Sequence, residues 1–127
     1  MKIGDSAEVT RTFSARDLQD YARLCDHKGA VKSDRIPGPL IGALFSYLLG
    51  VELPGMGTMY MKQETRYKPG ATIGEPLCAK VEITRLRPEK KLVDLATTCK
   101  LANGKIIARG RALVYVGDLI QKDDNDA

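Results

Sequence analysis

The stretch Gly38–Gly50, GPLIGALFSYLLG, decides the architecture of this 127-residue chain. Leu40, Ile41, Ala43, Leu44, Phe45, Tyr47, Leu48 and Leu49 fall on every side of a helical wheel. A helix over 38–49 must therefore be surrounded by other structure rather than laid on a surface. Pro37 and Pro39 suit its first turn, where a missing amide hydrogen costs no hydrogen bond. Gly50 is the expected stop. At about a dozen residues the segment is too short to cross a bilayer and right for a core helix.

Upstream, residues 7–13 (AEVTRTF) roughly alternate and predict a short strand. Ser14 reads as an N-cap, with Asp17 three positions later to favour the positive helix end. Leu18, Tyr21, Ala22 and Cys25 follow at helical spacing, which predicts an amphipathic helix over 15–25. The polar, punctuated stretch DHKGAVKSDRIP (26–37) reads as a loop. Downstream of the turn-rich VELPGMGT (51–58), four strands are predicted at 59–67, 77–86, 92–102 and 105–116. Asn103-Gly104 is a strong hairpin signal, and the gap at 87–91 fits a second tight turn.

One strand, a helix, an apolar helix and four antiparallel strands form a restricted pattern. A long curved sheet wrapped around a central helix satisfies it, an α+β architecture known as the hot-dog fold. Residues 1–118 make one such domain. The acidic segment 119–127 is expected to be a disordered tail. A sheet of this kind leaves an exposed edge that a second protomer can cover, so a homodimer is expected.

Composition narrows the function. Apolar residues make up 43% and charged residues 28%, ordinary values for a soluble globular protein. The N-terminal MKIGDSAEVTRTF lacks the apolar core of a signal peptide, and a cytoplasmic location is expected. Cys25, Cys78 and Cys99 show neither metal-ligand spacing nor a disulfide framework and read as free buried thiols. No metal and no bound cofactor is expected. The formal charge is +4, with −2 in residues 122–127 and hence +6 in the body. A basic body fits a solvated surface or a phosphate-bearing ligand. With 6% aromatics, no Trp and no stacking or zinc-finger motif, nothing points to nucleic acid, and no apolar run points to a membrane.

Four stretches carry a resemblance: FSARDLQDYARLCD (13–26), IPGPLIGALFSYLLGVELPGMGTMYMKQETRYKPG (36–70), the run from Thr72 to Val116, and the order in which they occur. Together they resemble the MaoC-like, (R)-specific enoyl-CoA hydratase family over nearly the whole chain. LFSYLLGVELPGMGTMYMKQ is the most specific part, similar to the family's helix, its LPG turn and the strand after it. The resemblance implies an acyl thioester of coenzyme A or of a carrier protein as ligand. It also implies a catalytic Asp and His in a D-x-N-P-x-H pattern after the first helix, which activate the water added to an α,β-unsaturated thioester. A backbone amide in an H-G pair at the central helix start receives the enolate oxygen, and a serine lies further along that helix.

Carried over residue by residue, Asp26 matches the Asp, Gly38 the glycine and Ser46 the serine eight positions on. Pro37 stands where the family has the His of H-G, and N-P-x-H has no match, since no histidine follows His27. A positioned acid/base contributes about 10²–10⁴-fold and one oxyanion donor about 10²–10³-fold. Asp26 and Gly38 alone would polarise a thioester and hydrate it slowly.

Each candidate has a plainer alternative. His27 either turns into the missing histidine's place or is a solvent-facing loop residue, and the second is favoured because adjacent side chains seldom converge on one water. Asp26 at a helix C-terminus opposes the dipole, which argues for a purpose, or it is a helix-ending turn residue. Ser46 lies near the site or bonds back to the carbonyl at position 42. Gly38 carries a helix-start amide that favours negative charge with or without catalysis, and Gly42 reads as a point of close helix–sheet packing. Lys28, Lys32, Arg35, Lys62, Arg66, Lys90 and Lys91 either meet the ligand's phosphates or are simply solvated. Three functions compete: a hydratase/dehydratase-type lyase, a non-catalytic thioester-binding partner of a dehydratase, and a thioesterase. The last ranks lowest because residues 38–50 hold no Asp or Glu of the kind many hot-dog thioesterases place on the central helix.

Overall fold

The computed structural model describes residues 1–24, 35–68 and 70–117, and these carry a five-stranded antiparallel sheet. Its strands are β1 (Ser6–Thr12), β2 (Met59–Tyr67), β3 (Pro76–Arg87), β4 (Leu92–Leu101) and β5 (Ile106–Tyr115). They lie in the order β1-β3-β4-β5-β2, with β1 and β2 at the edges. Strict alternation buries Leu77, Ala79, Val81 and Ile83 of β3 with Val93, Leu95, Thr97, Cys99 and Leu101 of β4 on one face. That face holds helix α2 (Gly38–Tyr47), which buries Ile41, Leu44 and Phe45 against it. The α+β hot-dog architecture expected from the sequence is the one observed.

Two expectations about α2 need correction. Gly50 does not stop the helix: the chain widens into a π-helical turn over Leu48–Glu52, with the Leu53 N–H donating to Leu48 O at 2.7 Å. Leu48 and Leu49 are both buried and hold this turn against the sheet. The turn ends at Leu53 in extended conformation (φ −156°), and beyond it the Gly55 N–H (φ +102°) donates to Leu49 O at 3.0 Å. Nor is the helix covered all round. Ala43, Ser46 and Tyr47 are exposed among the described residues, because the sheet wraps one side only.

The other boundaries moved by a residue or so. Strand β1 begins at Ser6, and β3 extends from Pro76 to Arg87. The 87–91 gap is a 3₁₀ turn over Pro88–Lys90 closed by Lys91 in the left-handed region (φ +58°). At the second hairpin the Leu101 N–H donates to Lys105 O at 2.9 Å, and Asn103 Oδ1 accepts from the Lys105 N–H at 2.9 Å. The expected tail 119–127, Cys25 and most of the 26–37 loop lie outside the described residues.

Helix α1 (Ala15–Leu24) buries Leu18 and Ala22, and its start is a reciprocal capping box. The Ser14 N–H donates to Asp17 Oδ2 at 2.8 Å, and the Asp17 N–H donates to Ser14 Oγ at 3.2 Å. The Ser14 amide, above all, holds the Asp17 carboxyl below the usual carboxylate range, with the Ser14 hydroxyl and Arg11 adding to it. A carboxylate lowered on folding stabilises the protein above its unfolded pKa, and that contribution fades as pH falls through the folded value. Ser14→Ala should lower stability by about 1 kcal/mol in urea melts at pH 7. The difference between it and wild type should shrink below pH 4, as Asp17 takes up its proton.

Candidate active site

The start of α2 is bare. Pro37 is its N-cap residue (φ −63°, ψ 143°), and no side chain caps the helix. Pro37 and Pro39 have no amide hydrogen, and the Leu40 N–H donates to Pro37 O at 3.1 Å. The Gly38 N–H is thus the leading amide, without an acceptor among the described residues. Helix-start amides carry partial positive charge and favour an anion or a developing oxyanion.

Gly38, Gly42 and Ser46 recur every four residues and share one face of α2. That face meets the inner side of β2. Tyr60, Gln63, Thr65 and Tyr67 pair in register with Val114, Ala112, Gly110 and Ala108, which places the four on the helix side of the sheet. A bulge at Met61 corrects the alternation between Tyr60 and Lys62. The Tyr67 ring lies across Gly38, three of its carbons 3.4–3.5 Å from where a Cβ there would sit. Its hydroxyl reaches 3.1 Å from the corresponding point on Gly42. Ser46 Oγ donates to the Tyr60 hydroxyl at 3.5 Å, a long bond.

Burial pushes the Tyr60 phenol above its usual range; the Ser46 bond opposes this and nearby Tyr67 adds to it. At neutral pH Tyr60 is therefore a protonated hydroxyl, able to donate but not to act as a base. Arg35 and Lys68 border a small pocket beside Gly38 and Tyr67. The described part of the site thus offers a bare amide, three hydroxyls and two cations.

The structure brings Gly38 and Ser46 onto one helix face, as their spacing requires. The serine's partner is Tyr60 on the neighbouring strand. Gly42 is a point of close packing, its neighbour being the Tyr67 hydroxyl. Asp26, His27, Lys28 and Lys32 lie outside the described residues. Lys62 and Arg66 pair with Leu113 and Arg109 on the outer face of the sheet, away from α2, so they do not serve this site. Lys90 and Lys91 sit in the β3–β4 turn. Tyr60, Tyr67 and Lys68 escaped sequence reasoning. The signal that could have found the tyrosines is the i, i+4 glycine pair, which invites a ring from a facing strand. Among the described residues no three His, Cys, Asp or Glu side chains gather as a metal site, and no helix is long and apolar enough to cross a membrane.

Comparison with known proteins agrees with this scaffold. The chain is 33% identical to an (R)-specific enoyl-CoA hydratase of Rhodospirillum rubrum, over 91% of this chain and 88% of that protein. It is 35% identical to a 3-hydroxybutyryl-CoA dehydratase of Methylorubrum extorquens, over 91% of this chain and 81% of the relative. The solved (R)-hydratase of Aeromonas caviae superposes with a TM-score of 0.83 at 29% identity, covering 91% of this chain and 97% of that one. No family model matches the chain. The chain belongs to the (R)-specific enoyl-CoA hydratase family of hot-dog proteins.

Neither described thiol stands at this site. Cys99 is fully buried on the inner face of β4, and burial pushes its pKa up to about 11. Cys78 faces the outer side, its Sγ 3.7 Å from Glu8 Oε2. In the native protein at pH 8, iodoacetamide should label Cys78 well before Cys99. Peptide mass mapping checks this, and Cys99 should become reactive only when urea unfolds the chain.

Proposed function

We propose that the protein is a hydratase/dehydratase-type lyase acting on an acyl thioester of coenzyme A or a carrier protein, with a reorganised proton-transfer apparatus. The observation that carries this is the bare Gly38 amide at the start of the core-anchored helix in a chain of the (R)-specific enoyl-CoA hydratase family. In this proposal the Gly38 N–H receives the thioester oxygen and stabilises the enolate that forms when water adds at the β-carbon. Asp26 takes the proton from that water and returns one to the α-carbon, and His27 stands as its neighbouring candidate partner. Ser46, joined to Tyr60, lines the far end of the site. In the dehydration direction the same groups act in reverse.

Crotonyl-CoA hydration, followed by loss of the conjugated thioester absorbance, tests the proposal. Wild type should exceed the uncatalysed rate, and Asp26→Asn should lower kcat by about 10²–10⁴-fold. A wild-type rate at background favours the second function, a non-catalytic partner subunit. The observation favouring that alternative is the lack of any histidine after His27.

The edge strand supports a homodimer. Met59 and Met61 of β2 are exposed, as are Tyr47, Val51 and Met56. An open apolar edge of this kind is a template for pairing with a second copy. Sedimentation should give a dimer for wild type and a monomer for Met61→Glu with Met59→Glu. A monomeric wild type, or co-purification with a different hot-dog chain, would count against the homodimer.

A further inference from the structure

Building on the proposed thioester site, we infer that Tyr67 sets the acyl-length limit and restricts the ligand to short acyl groups. The helix face of Gly38, Gly42 and Ser46 has no side chain beyond a hydroxymethyl group, so it would form an open groove against β2. Tyr67 occupies that groove. Its ring lies flat over Gly38 and its hydroxyl ends above Gly42. At the next turn Ser46 Oγ and the Tyr60 hydroxyl stand 3.5 Å apart.

Direction follows from polarity. Arg35, ahead of the helix start in the chain, and Lys68 border the pocket beside Gly38, where they suit the phosphates of a coenzyme or carrier arm. A thioester oxygen held at the Gly38 amide then sends the acyl chain the other way, toward Gly42. A methylene lying between helix and ring needs carbon contacts of about 3.5–4.0 Å on both sides, and so a gap of about 7–8 Å. The ring is 3.4–3.5 Å from the Gly38 Cβ position, which leaves the backbone gap well short of that. A short acyl group stops at the edge of the ring. A longer chain must displace it.

Tyr67 is 43% exposed and stands on an edge strand, so its truncation should leave the fold intact. Calorimetric titration with CoA, butyryl-CoA and octanoyl-CoA, which are saturated and do not react, separates binding from catalysis. Wild type should bind butyryl-CoA at least tenfold more tightly than octanoyl-CoA. Tyr67→Ala should bring the two within about threefold, with Tyr67→Leu intermediate, while Tyr67→Phe should retain the wild-type ratio because the ring fills the groove. Unchanged melting temperatures establish that each variant is folded. Equal binding of both thioesters by wild type, or an unchanged ratio in Tyr67→Ala, overturns the role of Tyr67 while leaving the thioester site standing. If neither acyl-CoA binds more tightly than CoA to wild type and Tyr67→Ala, the thioester site itself is overturned, and the limit with it.

Discussion

Two prolines flanking one glycine impose the constraint on which the site depends. Pro37 and Pro39 have no amide hydrogens to offer, and Pro37 cannot cap with its side chain, so the helix dipole ends on the single Gly38 N–H. A bare helix start would be a defect if the helix could drift. It cannot, because Phe45, Leu48 and Leu49 are sunk in the core and the π turn after them locks the far end. Burial at one end of the segment therefore holds an unsatisfied donor steady at the other. Fixed donors of this kind stabilise developing charge without having to reorganise.

The sheet supplies the second half of the arrangement. Strands β3, β4 and β5 pair over long, nearly regular registers and form a rigid backing. Strand β2 is different: it touches the sheet on one side only, and it carries tyrosines toward the helix instead of aliphatic residues. Gly110 lets it close up against β5, since a side chain there would collide with the Glu64 carbonyl. The site thus lies between a helix anchored in the core and the least buried strand.

Much of this was legible in the residues. The apolar run at 38–49, the alternation of β3 and β4 and the Asn103-Gly104 turn specify the hot-dog fold through local periodicity alone. The Ser14–Asp17 box is likewise a local signal. Gly50 misled because a glycine after an apolar run usually ends a helix, whereas here two buried leucines carry it one wider turn further. The exposed face at Ala43, Ser46 and Tyr47 was not legible either, since periodicity shows what is apolar and not what covers it. Nor were Tyr60 and Tyr67. Their approach to the helix depends on a register 14 to 29 residues away in sequence and on the bulge at Met61. The proposed proton-transfer groups are the least legible part: Asp26 rests on the family pattern, whose histidine has no match here, and His27 is a candidate only as its neighbour in sequence.

In the proposed function the Gly38 amide is the electrophilic half of a thioester site. A crystal structure with bound butyryl-CoA tests it most directly. The thioester oxygen should lie at hydrogen-bond distance, about 2.9 Å, from the Gly38 nitrogen, with the acyl chain against Tyr67 and the nucleotide toward Arg35 and Lys68. A thioester bound on the outer face of the sheet, or with its oxygen turned away from the start of α2, would contradict it.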